Sequence, residues 1–305
     1  MSFALKSLSV SCLDVPAAAD FYRNIFSAPS TTDGESIATD LHGTGRLELV
    51  PAQPAEPSAA SGTAYQRAVL TYIRPGPGDV RTMTDAAATH GADIFKPARK
   101  ALFGAFSGSF MAPEGTVWKL AAAGKDTASL EGAARPTETT VTLGVREPKV
   151  SKAFYAALGM SVDRDYGNKY IDFLPADGAS WLCLMQEPVL AKDVAASDPH
   201  VGTSSVTLRH QSASHAEAER IVSAALAGGC AQTGQGNSLD PGSATISDPG
   251  GPPLDHLGPA TLSRGKVATR LPNTRITWQR KSTSRRRLEA TGRSAVTSES
   301  WTCPR

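Results

Sequence analysis

Apolar and polar residues alternate from Leu5 to Leu13, with Leu8, Val10 and Cys12 against Ser7, Ser9 and Ser11, which predicts a half-buried strand. The period then becomes helical. Asp14 supplies an N-cap and Pro16 sits in the first turn, where its missing N–H costs nothing. Ala18, Phe21, Tyr22 and Ile25 share one face, and Pro29 stops the helix. Strands at 36–41 and 46–51 follow, turned at 43–45. Strand 68–73, a turn at 75–78, helix 80–90 closed by Gly91, and strands at 94–95, 106–112 and 117–121 complete a second run. The order then returns with strand 139–145, helix 148–158 with Gly159 at C′, and strands 170–174 and 181–185. Strand 205–209, helix 214–227 and strand 244–247 end the pattern, and 51–62 and 188–202 read as linkers.

Two stretches recur. Phe103 to Leu120, FGAFSGSFMAPEGTVWKL, is a strand, a Pro-Glu-Gly turn and a second strand, and Ala244 to Gly251, ATISDPGG, is a weaker copy. DVPAAADFYRNIF from Asp14 and EPKVSKAFYAALG from Glu147 share an acidic residue, a Pro and a Phe-Tyr pair, with the pairs 133 residues apart. The chain therefore reads as two tandem domains, 1–122 and 138–258, joined by a linker at 123–137 and followed by a tail at 259–305.

Composition agrees with two cores: 305 residues, 40% of them apolar. No apolar run is long enough to span a membrane and the N-terminus lacks a signal peptide's apolar core, so a cytoplasmic protein is expected. Cys12, Cys183, Cys230 and Cys303 form no CxxC pair, which favours buried reduced thiols. The net charge of +2 hides a split. From Thr261 onward eleven Lys and Arg stand against Glu289 and Glu299, leaving 20 basic and 27 acidic residues elsewhere.

Four βαβββ units, a Phe-Tyr pair in the first helix of each repeat and a Pro-Glu-Gly or Asp-Pro-Gly-Gly turn before a last strand resemble the vicinal oxygen chelate superfamily, the group of glyoxalase I, extradiol dioxygenases and bleomycin-resistance proteins. The resemblance covers roughly residues 3–258 and implies an α+β fold in which paired units form curved, cup-like mixed sheets. It also implies where metal ligands would stand. Histidine positions fall near Ser7 and Ala68 in the first half and near Thr140 and Ser204 in the second, and Lys119 stands where a carboxylate would follow Trp118. Only Glu48 is family-like, so no metal or other cofactor is expected unless ligands from other strands converge. His42, His90, His200, His210 and His215 read as surface residues.

What remains is a cup lined by rings. Phe103, Phe106, Phe110 and Trp118 in the first half, and Tyr170 and Trp181 in the second with Tyr166 and Phe173 beside them, are the candidate ligand contacts. Lys96, Arg99 and Lys100 read as a basic loop, Cys183 as core, and Tyr22 and Tyr155 as helix packing. The leading function is metal-independent binding of a small apolar or aromatic molecule, as in resistance proteins. A metal-dependent lyase or dioxygenase of glyoxalase type and a non-catalytic domain that dimerises through its open sheet are the alternatives.

After Gly251 the expected strand is missing, and Pro252 to Gly258 reads PPLDHLG. If the codons were CCA CCT CTG GAC CAT CTG GG, loss of one C would restore His-Leu-Trp-Thr-Ile-Trp, so the hypothesis here is a single-base frameshift that converts the last strand into an unrelated tail. The remainder, rich in Ser, Thr and Arg with RKSTSRRR at Arg280 to Arg287, is expected to be disordered. Nucleic-acid binding is not expected of it, because no groove-reading element precedes it.

Overall fold

A computed structural model of the chain describes residues 5, 7–52, 68–100, 105–124, 135–196, 206–212, 215–228, 232–235, 243–246, 260–263 and 274–279. The first unit is β1 (Ser7–Cys12), α1 (Val15–Phe26), β2 (Ser30–Asp33), β3 (Ser36–Asp40) and β4 (Arg46–Pro51). The second is β5 (Ala68–Arg74), α2 (Pro77–Thr89), β6 (Asp93–Lys100), β7 (Phe106–Met111) and β8 (Val117–Ala122). The third is β9 (Glu138–Val145), α3 (Pro148–Leu158), β10 (Val162–Asp165), β11 (Tyr170–Phe173) and β12 (Trp181–Gln186), and helix α4 (Glu187–Val194) follows it. The fourth is β13 (Val206–Ser212), α5 (His215–Ala227), β14 (Gln232–Gln235), β15 (Ser243–Ile246), β16 (Ala260–Ser263) and β17 (Thr274–Gln279).

The local signals act as expected at the helix ends. Asp14 caps α1 by accepting the Ala17 N–H at 2.9 Å. Gly159 ends α3 in the left-handed conformation, φ 106°, where a side chain would be strained. Four spans differ from the sequence reading. Edge strands β2 and β10 carry no buried side chain, so no apolar alternation marks them. Lys96, Arg99 and Lys100 lie in strand β6, paired with β7 through irregular register, and not in a loop. The linker assigned to 188–202 contains α4, whose Leu190, Ala191 and Val194 are buried on one face.

The four units make two mixed sheets, so the fold is α+β. Pairing within each half, which the resemblance implies, is not what the register shows. Antiparallel β1 and β13 join the first and fourth units in a nine-stranded sheet, and antiparallel β5 and β9 join the second and third in an eight-stranded one. The cause lies in α1, which packs between the sheets. Besides the predicted face it buries Val15, Ala19 and Phe26, and its rings meet Tyr72, Phe110 and Trp118 of the second unit. The two units of the first half thus meet through their helix layer, which leaves each opening strand to pair with the other half. One continuous hydrophobic core runs through all four units.

In three units the last strand lies parallel to the first, as β4 to β1, β8 to β5 and β12 to β9. The fourth closes differently: β16 adds a strand, and β17 therefore reaches β13 antiparallel. Residues 248–258, where the reading frame is questioned, and the basic run 280–287 lie outside the described residues, as does Phe103. No helix among the described residues is long and apolar enough to cross a membrane.

The turn between β3 and β4 ties the two sheets together. Thr44 Oγ1 lies 2.7 Å from Thr139 Oγ1, and Ser180 Oγ donates to the Thr44 carbonyl at 3.3 Å. A Cβ on Gly45 would stand 2.1 Å from Ser180 Oγ. Gly45→Ala is expected to cost about 1–3 kcal/mol, the usual range for overpacking. Urea denaturation checks this, and an unchanged midpoint would contradict the tie.

Candidate functional site

Successive side chains of a strand point to opposite faces, and the eight-stranded sheet divides accordingly. Leu70, Tyr72, Trp118, Leu120, Val141, Leu143, Leu182 and Leu184 face the helices and belong to the main core. The other face carries rows in register across neighbouring strands. Ser109, Lys119, Thr71, Thr140 and Trp181 form one, drawn from β7, β8, β5, β9 and β12. Met111, Val117, Val69, Thr142, Cys183 and Asp172 form the next. Helix α4 lies over part of this face, with Leu190, Ala191 and Val194 against Val69 and Val117.

The candidate rings separate between the two faces. Phe110 and Trp118 are fully buried on the helix side, against Phe21 and against Tyr22 and Phe26. Phe106 points the same way, under Arg81 of α2 at 4.7 Å. Their alternation with Ser107, Ser109, Val117 and Lys119 decides this: the small and polar residues of β7 and β8 take the outer face. Phe173 is likewise core, 5.7 Å from Tyr155. Tyr170 and Trp181 do stand on the outer face, each half-buried, and Tyr166 is exposed beside them.

Around these two rings the strands gather polar groups that no sequence motif marks. The Arg164 guanidinium lies 6.0 Å from the Trp181 ring centroid and pairs with Asp172 at 2.6 Å. Asp172 is fully buried and its Oδ1 also accepts the Arg164 N–H at 2.8 Å. Tyr170 Oη lies 3.1 Å from Cys183 Sγ. Burial pushes the Cys183 thiol up to about 12, and it raises the Tyr170 hydroxyl too, with Cys183 and Asp172 adding to the effect. Burial also raises the Glu138 carboxyl, an effect Arg164 opposes. A thiol held protonated is a poor nucleophile. Cys183, and Cys12 whose thiol burial likewise lifts to about 12, are expected to resist iodoacetamide at pH 8 until the protein unfolds. Peptide mapping checks this, and rapid native labelling of either would contradict it.

The family's metal positions do not offer a donor set. Glu48 is held by Arg209 at 3.0 Å and Arg46 at 3.6 Å, and Lys119 carries a positive charge paired with Asp193 at 2.5 Å. Ser7, Ala68 and Thr140 supply no imidazole or carboxylate. Among the described residues no three His, Cys, Asp or Glu side chains converge. These positions do not fit a divalent ion. Two histidines differ from their reading as solvated residues: His42 Nε2 lies 3.0 Å from the Phe26 carbonyl, and His210 is buried on β13. His200 and His256 fall outside the described residues.

The two recurring sequence signals turn out to touch. Tyr22, of the Phe-Tyr pair, donates its hydroxyl to Glu114 of the Pro-Glu-Gly turn and accepts from Trp118 Nε1 at 3.1 Å. Tyr22 is therefore a polar joint between the first and second units as well as packing. Burial raises the Glu114 carboxyl, against the lowering effect of its hydrogen bond from Tyr22.

No family model and no curated protein matches the chain. Solved structures do. A mutant of glyoxalase I from Zea mays aligns at TM-score 0.50 and 16% identity, over 82% of this chain and 91% of that one. A putative dioxygenase from Bacillus subtilis aligns at TM-score 0.43 and 12% identity, over 60% of this chain and 64% of that one. A glyoxalase/bleomycin resistance protein/dioxygenase family enzyme from Burkholderia phytofirmans PsJN aligns at 0.34 and 17%, over 39% of this chain and 98% of that one. Identities this low speak to fold and not to activity. With four βαβ-type units arranged in two mixed sheets, and with the maize enzyme superposing along most of its length, the chain has the fold of the vicinal oxygen chelate superfamily.

Proposed function

We propose that the chain binds a small aromatic molecule, without a metal ion, on the outer face of the eight-stranded sheet. The observation that carries this reading is the two half-buried rings, Tyr170 and Trp181, on one sheet face, where Thr140, Thr142, Asp172 and Cys183 are small or polar and Met185 lies opposite Tyr170. Rings present a large apolar surface with few conformations to lose, which suits them to stack on a flat ligand. Thr140, the register partner of Trp181, and Glu138 at the end of β9 supply polar groups that orient it. Arg164 and Asp172 hold one side of the site in place through their ion pair. Metal independence rests on the occupants of the family's ligand positions, which are hydroxyls, a methyl group at Ala68, an ammonium and a carboxylate already held by arginines.

The test is equilibrium dialysis of EDTA-treated protein against phenol, indole and naphthalene. Binding of at least one is expected without added metal, and Trp181→Ala should weaken it about tenfold, since it removes the stacking surface. Binding that appears only with added zinc, nickel or magnesium would overturn the metal-independent reading. Binding indifferent to Trp181→Ala would overturn the location.

A further inference from the structure

Part of the outer face is covered by the chain itself, and the chemistry of that cover describes a second site. Helix α4 brings three kinds of group to the sheet. Leu190, Ala191 and Val194 form an aliphatic strip on Val69 and Val117, with Phe95, Met111 and Met185 packed around, in a cluster separate from the main core. Asp193 Oδ2 lies 2.5 Å from Lys119 Nζ. The Val194 carbonyl accepts from Ser109 Oγ at 2.6 Å. Lys119 and Ser109 are register partners on β8 and β7, so the two donors stand side by side at one end of the apolar strip. Ser109 is 1% exposed and the Lys119 side chain 23%. A charged and a neutral donor adjoining aliphatic surface match the head and chain of an aliphatic carboxylate.

The cover is also weakly self-supporting. Eight residues are too few for a helix to persist on its own hydrogen bonds. Its C-terminal cap, Ala195, sits at φ 58°, a left-handed conformation that non-glycine residues seldom adopt. Its hold on the sheet therefore comes from the same contacts a ligand would make.

We propose that the sheet face beneath α4 is a binding site for an aliphatic carboxylate, whose chain lies on Val69 and Val117 and whose head group takes the places of the Asp193 carboxylate and the Val194 carbonyl on Lys119 and Ser109. The helix spans about 12 Å, close to the length of a ten-carbon chain, which makes decanoate the probe. Because ligand and helix compete, the observed affinity is reduced by the fraction of time the helix is seated. The site lies on the same sheet face as the aromatic site, but its head-group donors Lys119 and Ser109 stand on β8 and β7, apart from Tyr170 and Trp181 on β11 and β12.

Calorimetry and amide hydrogen exchange on the full chain test it, with decanoate and decanol compared. Decanoate is expected to bind and to speed exchange across Leu190–Val194, while decanol binds more weakly. Lys119→Met should abolish the preference for the carboxylate. Asp193→Asn, which removes only the helix's competing charge, should tighten decanoate binding about two- to fivefold, the worth of one partly exposed ion pair. Thermal melts confirm that each variant is folded. Should Lys119→Met fail to fold, Asp193→Asn decides alone. No binding to either wild type or Asp193→Asn overturns the proposal, as does binding that leaves α4 exchange unchanged or ignores Lys119→Met. Indole binding should be the same in Asp193→Asn and wild type, so failure here leaves the aromatic site standing and the reverse also holds.

Discussion

Trp118→Ala is expected to lower the free energy of unfolding by about 3–5 kcal/mol, the range for deleting a large buried ring from a core that cannot fully collapse. The indole is fully buried, with its centroid 4.7 Å from that of Phe26 and 5.7 Å from that of Tyr22. Its loss opens a cavity between the first and second units and removes a donor from the Tyr22 hydroxyl. Urea denaturation measures the change, and a loss below about 1 kcal/mol would contradict the packing described here. Glu114→Gln separates charge from packing at the same joint. Burial raises the Glu114 carboxyl in the folded state, so the folded protein holds that proton more tightly than the unfolded chain. The resulting stability is fully present below the unfolded glutamate value of about 4.3 and is lost as pH rises through the folded value. Glu114→Gln is therefore expected to match wild type near pH 4 and to exceed it at pH 8. A difference that does not change with pH would show that Glu114 is not held in a buried, proton-favouring site.

Arg164→Ala is expected to cost about 1–3 kcal/mol through a different mechanism, a buried carboxylate left without its counter-charge. Asp172 is fully buried, whereas the Arg164 side chain is 52% exposed, so the solvent near the guanidinium screens the pair and places the effect below that of a wholly buried one. Adding Asp172→Asn removes the stranded charge. The double variant should recover most of the loss, and a double-mutant cycle measures the coupling directly. Additive losses would contradict the pairing. The same change exposes Trp181 from under the guanidinium, so aromatic ligands should retain access to it.

The fold was legible in the chain because its strongest signals are local and repeated. Asp14 and Pro16 mark the start of α1, Gly159 the end of α3, and the two Phe-Tyr pairs fix the repeat. Which unit pairs with which was not legible, since strand partners are chosen by contacts between residues far apart in sequence. The rings on α1 pack on Tyr72, Phe110 and Trp118 of the second unit, and no period in either segment announces that. The site divided in the same way. Tyr170 and Trp181 alternate with Ile171 and Leu182, and their strand parity alone puts them on the outer face. Parity also places Phe110 and Trp118 on the helix side, once the start of each strand is known. Arg164 escaped notice because β10 is an exposed, polar edge strand. Helix α4 could have been found from Pro188 in its first turn and the spacing of Leu190, Ala191 and Val194, but its flanking Ala, Ser and Pro residues read more readily as a linker.

Amide hydrogen exchange with and without naphthalene tests the central claim most directly, because it locates a ligand without requiring its natural identity. The outer-face site predicts slower exchange confined to β9, β11 and β12, residues Glu138–Val145, Tyr170–Phe173 and Trp181–Gln186, with the nine-stranded sheet unchanged. Protection on β1 and β4 instead, or none at naphthalene concentrations that saturate binding, would place the ligand elsewhere and contradict the account.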